Sequence, residues 1–388
     1  MSTTDLRSAP DGTELAGHPR PGRLRPRRGS RPRGRHRLTA NLFGIPLGLV
    51  GVAQCWTVAH EVGTAPPWPG DVLWVLVAAV WLLVAGAYYA RHHRPTDLAQ
   101  ELADPTFGPF VAVSAIVPMM LGAALARHLP TAGHVVFLVA LVLTLIAGGW
   151  LSGQWILSDT TLAQWHPGYF LPTVGGGLIA AALSAGFGDR SLARAMFGYG
   201  TVCWIVLGSI ILTRLFTQPA LPVPLRTTIA IEMAPPVVAG IAWFGINGGH
   251  VDAIALGLAG YALLMAMVQI RLIPLFRTVP FGPGWWAFSF PYAATVAYAF
   301  QWLSAERVTA AHTWTWALLA LVTAGAAVLA GRTVLALVGD RFLLPAAPTT
   351  PDLVVTAPVS PASAPDHAAP ERSGSHSLRD AASGHGRS

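Results

Sequence analysis

Lysine is absent from this 388-residue chain, whose 25 basic residues are all arginine. A Walker A phosphate loop needs its lysine, as do Schiff-base and pyridoxal mechanisms, so each is excluded, and ATP-driven transport by the chain alone with them. Cysteine is scarce. Cys55 and Cys203 both lie in apolar runs, which leaves neither a disulfide framework nor a CxxC metal site. Charge is the third shortage: 11% of residues are Asp, Glu, Lys or Arg, against about 25% in soluble domains. Residues 1–37 and 345–388 hold 20 of the 43 charges, leaving 23 in the 307 residues between them. Such a middle belongs in a membrane, and a water-soluble enzyme is ruled out.

What is present is hydrophobic and periodic. Apolar runs fall at 39–60, 71–90, 108–127, 132–156, 166–187, 193–216, 226–247, 251–274, 284–304 and 310–336. Each is near the ~20 residues that a bilayer span requires. Ten spans with short connections predict antiparallel neighbours in an all-α integral membrane domain over residues 38–344. The first run is too long for a signal-peptide core and lacks a small-x-small exit, so it reads as a span.

The net charge of +7 sits in residues 1–37, where ten arginines face Asp5, Asp11 and Glu14. A basic block beside the first span is a cytoplasmic topology determinant that touches anionic lipid headgroups; it is not read as a nucleic-acid site. With that block inside, inner loops and span ends carry Arg91, Arg94, Arg214, Arg226, Arg271, Arg277, Arg332 and Arg341, and outer ones Arg127, Arg190, Arg194 and Arg307. The bias agrees with an inner (plasma) membrane protein whose two termini are both cytoplasmic. Residues 1–37 and 345–388, poor in large apolar side chains, are expected to be disordered tails.

The most informative feature is an internal repeat. Every odd-numbered run carries a proline early on: Pro46, Pro118, Pro172, Pro235 with Pro236, and Pro291; among even runs only the eighth has one, Pro274 at its edge. Four to five residues later stand Gly51, Gly122, Gly176, Gly240 and the small Thr295. The repeating unit is a helical hairpin of 54 to 72 residues, so all five proline helices run in one direction. Proline frees a backbone carbonyl and glycine removes bulk. Exposed backbone is tolerated at membrane depth where it lines a cavity or is buried in protein. The odd helices are therefore expected inside, as kinked walls of an axial pore, with the even helices outside.

Four segments also carry a resemblance: Phe43-Gly-Ile-Pro-Leu-Gly-Leu, His166-Pro-Gly-Tyr-Phe-Leu-Pro-Thr-Val, Ala234-Pro-Pro-Val-Val-Ala-Gly and Trp285-Trp-Ala-Phe-Ser-Phe-Pro. In this order, over roughly residues 38–340, the chain resembles the tellurite-resistance/dicarboxylate transporter family, which includes the plant slow-type anion channels. The resemblance implies a ten-helix fold of five hairpins, a homotrimer with one pore per subunit, and passage of small anions. It also implies a phenylalanine of the ninth helix plugging the pore. Matched by motif, that residue is Phe290, with Phe288 the alternative.

Among groups able to carry chemistry, Glu232 is the one carboxylate well inside a run. An unpaired buried anion is costly, so it is protonated, paired or facing water. It is either a proton acceptor coupling transport to a pH gradient or a structural hydrogen-bonding group, and Arg271 either pairs with it or snorkels to the surface. His166, at a span start, is expected to cap. His92 and His93 lack metal-site spacing, and Trp68, Trp74, Trp285 and Trp286 read as an interfacial belt. No Asp-rich cluster suggests a membrane transferase; neither enzyme activity, nor a cofactor, nor a metal is expected. An anion channel and a proton-coupled carrier of C4-dicarboxylate, sulfite or tellurite both remain open.

Overall fold

A computed structural model describes residues 38–343; the two tails lie outside the described residues. The described chain is helical and without strands. Its long helices are α1 (Ala40–Glu61), α2 (Trp68–Arg91), α3 (Gly108–Ala126), α4 (Pro130–Leu157), α5 (Pro167–Gly186), α6 (Arg190–Thr217), α7 (Val223–Asn247), α8 (Ala253–Arg271), α9 (residues 283–305) and α10 (Ala311–Val338). All ten bounds fall within about three residues of the apolar runs.

Nine of these helices, rather than ten, are long and apolar enough to cross a membrane. The exception is α9. It is continuous as Pro283–Phe288 and Ser289–Ala305, but Trp285, Trp286, Tyr292, Tyr298, Gln301 and Trp302 stand where its counterparts carry aliphatic side chains. Aromatic rings with polar tips lower the hydropathy of a segment without shortening it.

Odd and even helices differ in kind. Each odd helix opens as a 3₁₀ turn and only then becomes α-helical: Ala40–Phe43, Gly108–Ala112, Pro167–Phe170, Val223–Met233 and Pro283–Phe288. In α5 a π turn, Leu171–Gly175, intervenes. The even helices are α from end to end. Pro46, Pro235, Pro236 and Pro291 sit in the first turn of the α portion. A proline there withholds the N–H that would bond back into the preceding turn, and the helix type changes at that point. Pro172 lies in the π turn, and Pro118 lies inside the α portion of α3. The prolines thus mark changes of helix type more than bends.

Each odd helix packs on the next, α1 on α3, α3 on α5, α5 on α7 and α7 on α9, and α9 returns to α1. Each also packs on the even helix that follows it. Between 67% and 78% of the apolar window is buried in α1, α3, α5 and α7, but only 6% to 33% in the five even helices. Glycine makes the close approaches: a Cβ on Gly240 would meet the Tyr298 ring at 2.3 Å, and one on Gly122 would meet the backbone nitrogen of Phe137 at 2.5 Å.

Two of the four belt tryptophans face protein rather than the bundle's outer surface. Trp74 and Trp286 are buried, their Nε1 atoms donating at 3.0 Å to Thr57 Oγ1 and Thr333 Oγ1. Both tie an odd helix to an even one, where an indole satisfies a partner's hydroxyl as it packs. Trp68 stays exposed, and Trp285 stacks beside Arg332, whose Cζ lies 5.7 Å from its ring centroid.

Candidate functional site

Two cavities lie along the axis enclosed by the odd helices. The first, of about 340 Å³, is walled at the N-terminal ends of all five. Its lining follows the helix type. Part of it recurs every third residue through the 3₁₀ openings, as with Phe107 and Phe110 at α3, Leu225, Thr228 and Ile231 in α7, and Gly284 and Ala287 in α9. A 3₁₀ helix has three residues per turn, so i and i+3 eclipse and one straight row faces the axis.

The second cavity, of about 460 Å³, is walled by the C-terminal halves of the same helices. Here the spacing lengthens to that of an α-helix: Gly51, Gln54, Val58 and Glu61 in α1, Val238, Ile241 and Gly245 in α7, Phe290, Ala294, Ala297 and Gln301 in α9. Three residues line both cavities: Ile179, Val238 and Phe290. Phe290 is the largest of them and is buried.

Phe288 lines neither cavity. It packs edge-on against Phe276 at 4.9 Å between centroids and lies beside Trp285 and Tyr292, in a satellite cluster with Leu221 and Ile229. Of the repeat residues, Pro235 and Pro291 line the first cavity and Gly51 the second. Gly122, Gly176 and Gly240 instead face Phe137, Thr144 and Tyr298 of neighbouring helices. Pro46, Pro118, Pro172 and Pro236 line neither cavity. Gly51 serves both purposes, since a Cβ there would meet Ala293 Cβ at 2.7 Å and the Phe290 Cα at 3.4 Å.

Glu232 is buried but lies off the cavity row, one position past Ile231. Its Oε1 has no hydrogen-bond partner among the described residues, and it forms no ion pair there. Arg271 is exposed. His166 is wholly buried in the loop before α5: Nδ1 accepts from the Gly168 N–H at 3.1 Å and Nε2 faces the Pro105 carbonyl at 3.2 Å. A donor on one side and an acceptor on the other specify the neutral Nε2–H tautomer. Burial pushes its pKa down to about 4 against the pull of the Pro105 and Thr106 carbonyls. The His166 cap therefore joins two loops at the same end of the bundle.

Charged groups around the cavities were not singled out by the sequence. Among the described residues Arg341 is the only charged one lining the first cavity; the second has Arg127 and Glu61. The burial of one span-end arginine was not anticipated either: Arg214 donates from Nε and Nη2 to the Ala163 carbonyl at 3.3 and 3.1 Å.

A sequence profile described as voltage-dependent anion channel matches residues 37–334, which is the whole helical bundle short of its last turn. The chain belongs to this family. Relatives within and around it include the tellurite resistance protein TehA homolog of Haemophilus influenzae, 30% identical over 66% of this chain and 79% of that protein. The guard cell S-type anion channel SLAC1 of Arabidopsis thaliana is 26% identical over 68% of this chain, and the S-type anion channel SLAH3 of the same plant 27% over 68%. The matches span 50% and 43% of those two plant channels. The voltage-dependent anion channel family comprises channels and transporters rather than enzymes, and this member is a multi-pass membrane protein of the SLAC1/TehA type.

Proposed function

We propose that this protein is a passive channel for small anions, built from five helical hairpins that repeat in parallel around one pore, and closed by Phe290. The odd helices form the inner wall, with Pro46, Pro118, Pro172, Pro235, Pro236 and Pro291 and the glycines at 51, 122, 176 and 240 shaping it. The single observation that carries this reading is that Phe290 belongs to the walls of both axial cavities. With Ile179 and Val238 it makes a dry apolar septum between two vestibules. Such a constriction is a barrier because an anion crossing it sheds hydration that no polar group replaces. Rotation of the ring away from the axis joins the vestibules. The reading further takes the protein to be a homotrimer with one pore per subunit in the inner (plasma) membrane, both termini cytoplasmic.

The test is anion flux into proteoliposomes. Wild type leaks little, and Phe290→Ala conducts down an anion gradient whatever the pH gradient; absence of flux in Phe290→Ala overturns the gate.

A second reading is a proton-coupled carrier with Glu232 as its coupling group. The orphan oxygen of a buried carboxyl favours it, whereas the position of Glu232 outside both cavity walls favours the channel. Uptake driven by a pH gradient and abolished in Glu232→Gln would establish the carrier.

A further inference from the structure

The two vestibules flanking Phe290 differ in charge. In the first, Arg341 is the sole charged lining residue among the described residues, and its guanidinium has no hydrogen bond or ion pair with any of them. A second guanidinium stands behind the same wall, with Arg332 Cζ 4.5 Å from the centroid of Phe281, itself a lining residue. Among the described residues the lining itself thus carries one positive charge and no carboxylate, with Asp104 behind the same wall accepting from the N–H groups of Thr106 and Phe107.

The second vestibule also has an arginine, but that group is engaged on every side. Arg127 Nε donates to the Ala124 carbonyl at 3.3 Å, Nη1 donates to Thr57 Oγ1 at 3.2 Å, and Nη2 lies 3.3 Å from Asp71 Oδ1. His128 Nε2 holds the same Asp71 oxygen at 3.2 Å. Glu61 lines the cavity alongside Arg127. One guanidinium is thus answered by two carboxylates, one in the wall and one at its rim. In a narrow mouth with apolar walls a carboxylate repels an arriving anion about as strongly as a guanidinium attracts it.

We propose that Arg341 is the anion-collecting residue of the pathway, and that Asp71 and Glu61 hold Arg127 out of the same role at the other end, so that anions load preferentially from the Arg341 side. This inference rests on the channel reading and adds a direction to it. It makes Asp71, outside the lining of either cavity, a determinant of how well the second vestibule admits anions.

The experiment records chloride current in excised membrane patches, where every copy faces one way, with Phe290→Ala as background. Chloride is placed on one face at a time, and the concentration giving half-maximal current is read for each. Entry from the Arg341 face is expected to saturate at several-fold lower chloride than entry from the other. Arg341→Gln should remove that advantage without changing entry from the opposite face, and Arg341→Lys should retain it. Asp71→Asn should lower the half-saturating chloride at the Arg127 face several-fold, and Asp71→Asn with Arg127→Gln should not. Both effects should shrink at high ionic strength as charge is screened. The proposal is overturned if Arg341→Gln leaves loading unchanged, or if Asp71→Asn acts equally with Arg127 replaced. No chloride current in the Phe290→Ala background itself would instead sink the channel reading, and this proposal with it.

Discussion

The outer helices of this bundle are more apolar on average than the inner ones, yet the inner ones are buried in protein. The windows of the even helices are on average more apolar than those of α1, α3, α5 and α7, and α9 falls below both, so hydrophobicity runs opposite to burial within the protein. What separates them is what they are made of. The inner set carries the repeated prolines, the 3₁₀ openings and most of the glycines with no room for a Cβ, Gly133 and Gly200 being such glycines on outer helices where these pack against inner ones. The outer set carries the exposed large apolar residues, such as Val75, Leu83, Ile146, Ile205, Leu263 and Leu335. In lipid the hydrophobic effect does not sort helices inward, because tails are as apolar as leucine; close packing of small residues and hydrogen bonding do. The inner ring is therefore legible through small side chains and backbone irregularity.

The comparison is broken most severely at the septum. Phe290→Ala should raise anion flux by about ten-fold or more, by removing a dry barrier. Phe288→Ala should destabilise by about 1 to 4 kcal/mol as a packing mutant, with no open path. Paired flux and thermal-stability measurements decide; an open path in Phe288→Ala alone would reverse the assignment.

Next in size is the His166 cap. Its folded pKa, about 4, lies below the ordinary 6.5. The unfolded chain thus binds the extra proton between those values, and stability rises with pH there. The contribution, on the order of 3 kcal/mol, is fully present above about pH 6.5 and lost as pH falls toward 4. In thermal unfolding in detergent, His166→Asn, which can still cap, should lose stability at pH 7.5 and converge on wild type by pH 4. A constant gap across that range would discard the neutral cap.

Glycines sharpen the inner-outer contrast directly. Gly240→Ala forces a Cβ into the Tyr298 ring and should cost about 1 to 3 kcal/mol. Gly257→Ala, on the outer α8 with nothing within 4 Å, should be neutral or stabilising by up to about 1 kcal/mol. Melting temperatures of the two variants test this, and equal losses would mean that α8 is covered.

The smallest expected effect is that of Glu232→Gln on flux. Off the cavity row, it should leave gradient-driven anion flux in the Phe290→Ala background unchanged within about two-fold. Loss of pH-driven uptake would transfer the function to the carrier reading.

Much of the architecture could be read from residues in order. Spans of fixed length, short connections and a proline recurring in alternate runs are local properties of the chain, and span length is constrained because a helix rising ~1.5 Å per residue must cross a set bilayer thickness. Gly51, Gly122, Gly176 and Gly240 and five of the six repeat prolines are buried, with Thr295 and Pro118 half-buried, which suits the backbone exposure they create. The role of each was less accessible. Gly122, Gly176 and Gly240 face other helices rather than the cavities, since from sequence a missing side chain looks the same whether it makes room for an ion or for a neighbouring ring.

Which residue faces the axis was decided by tertiary structure. A 3₁₀ turn rotates about 120° per residue and an α-helix about 100°. Over the six residues Pro283–Phe288 the two drift apart by about 120°, a third of a turn. A helical wheel drawn from the sequence cannot know where one type yields to the other, so it cannot say whether Phe288 or Phe290, Ile231 or Glu232, points inward. The charges are the same case. Arg127 and Arg341 were visible as loop arginines, but that Arg127 is tied to Asp71 depends on residues 56 apart in sequence meeting at one mouth, and among the described residues Arg341 meets no such carboxylate. Composition and spacing determined that this chain spans the membrane as alternating irregular and regular helices; the change of helix type and the packing of distant loops decided what those helices present to an ion.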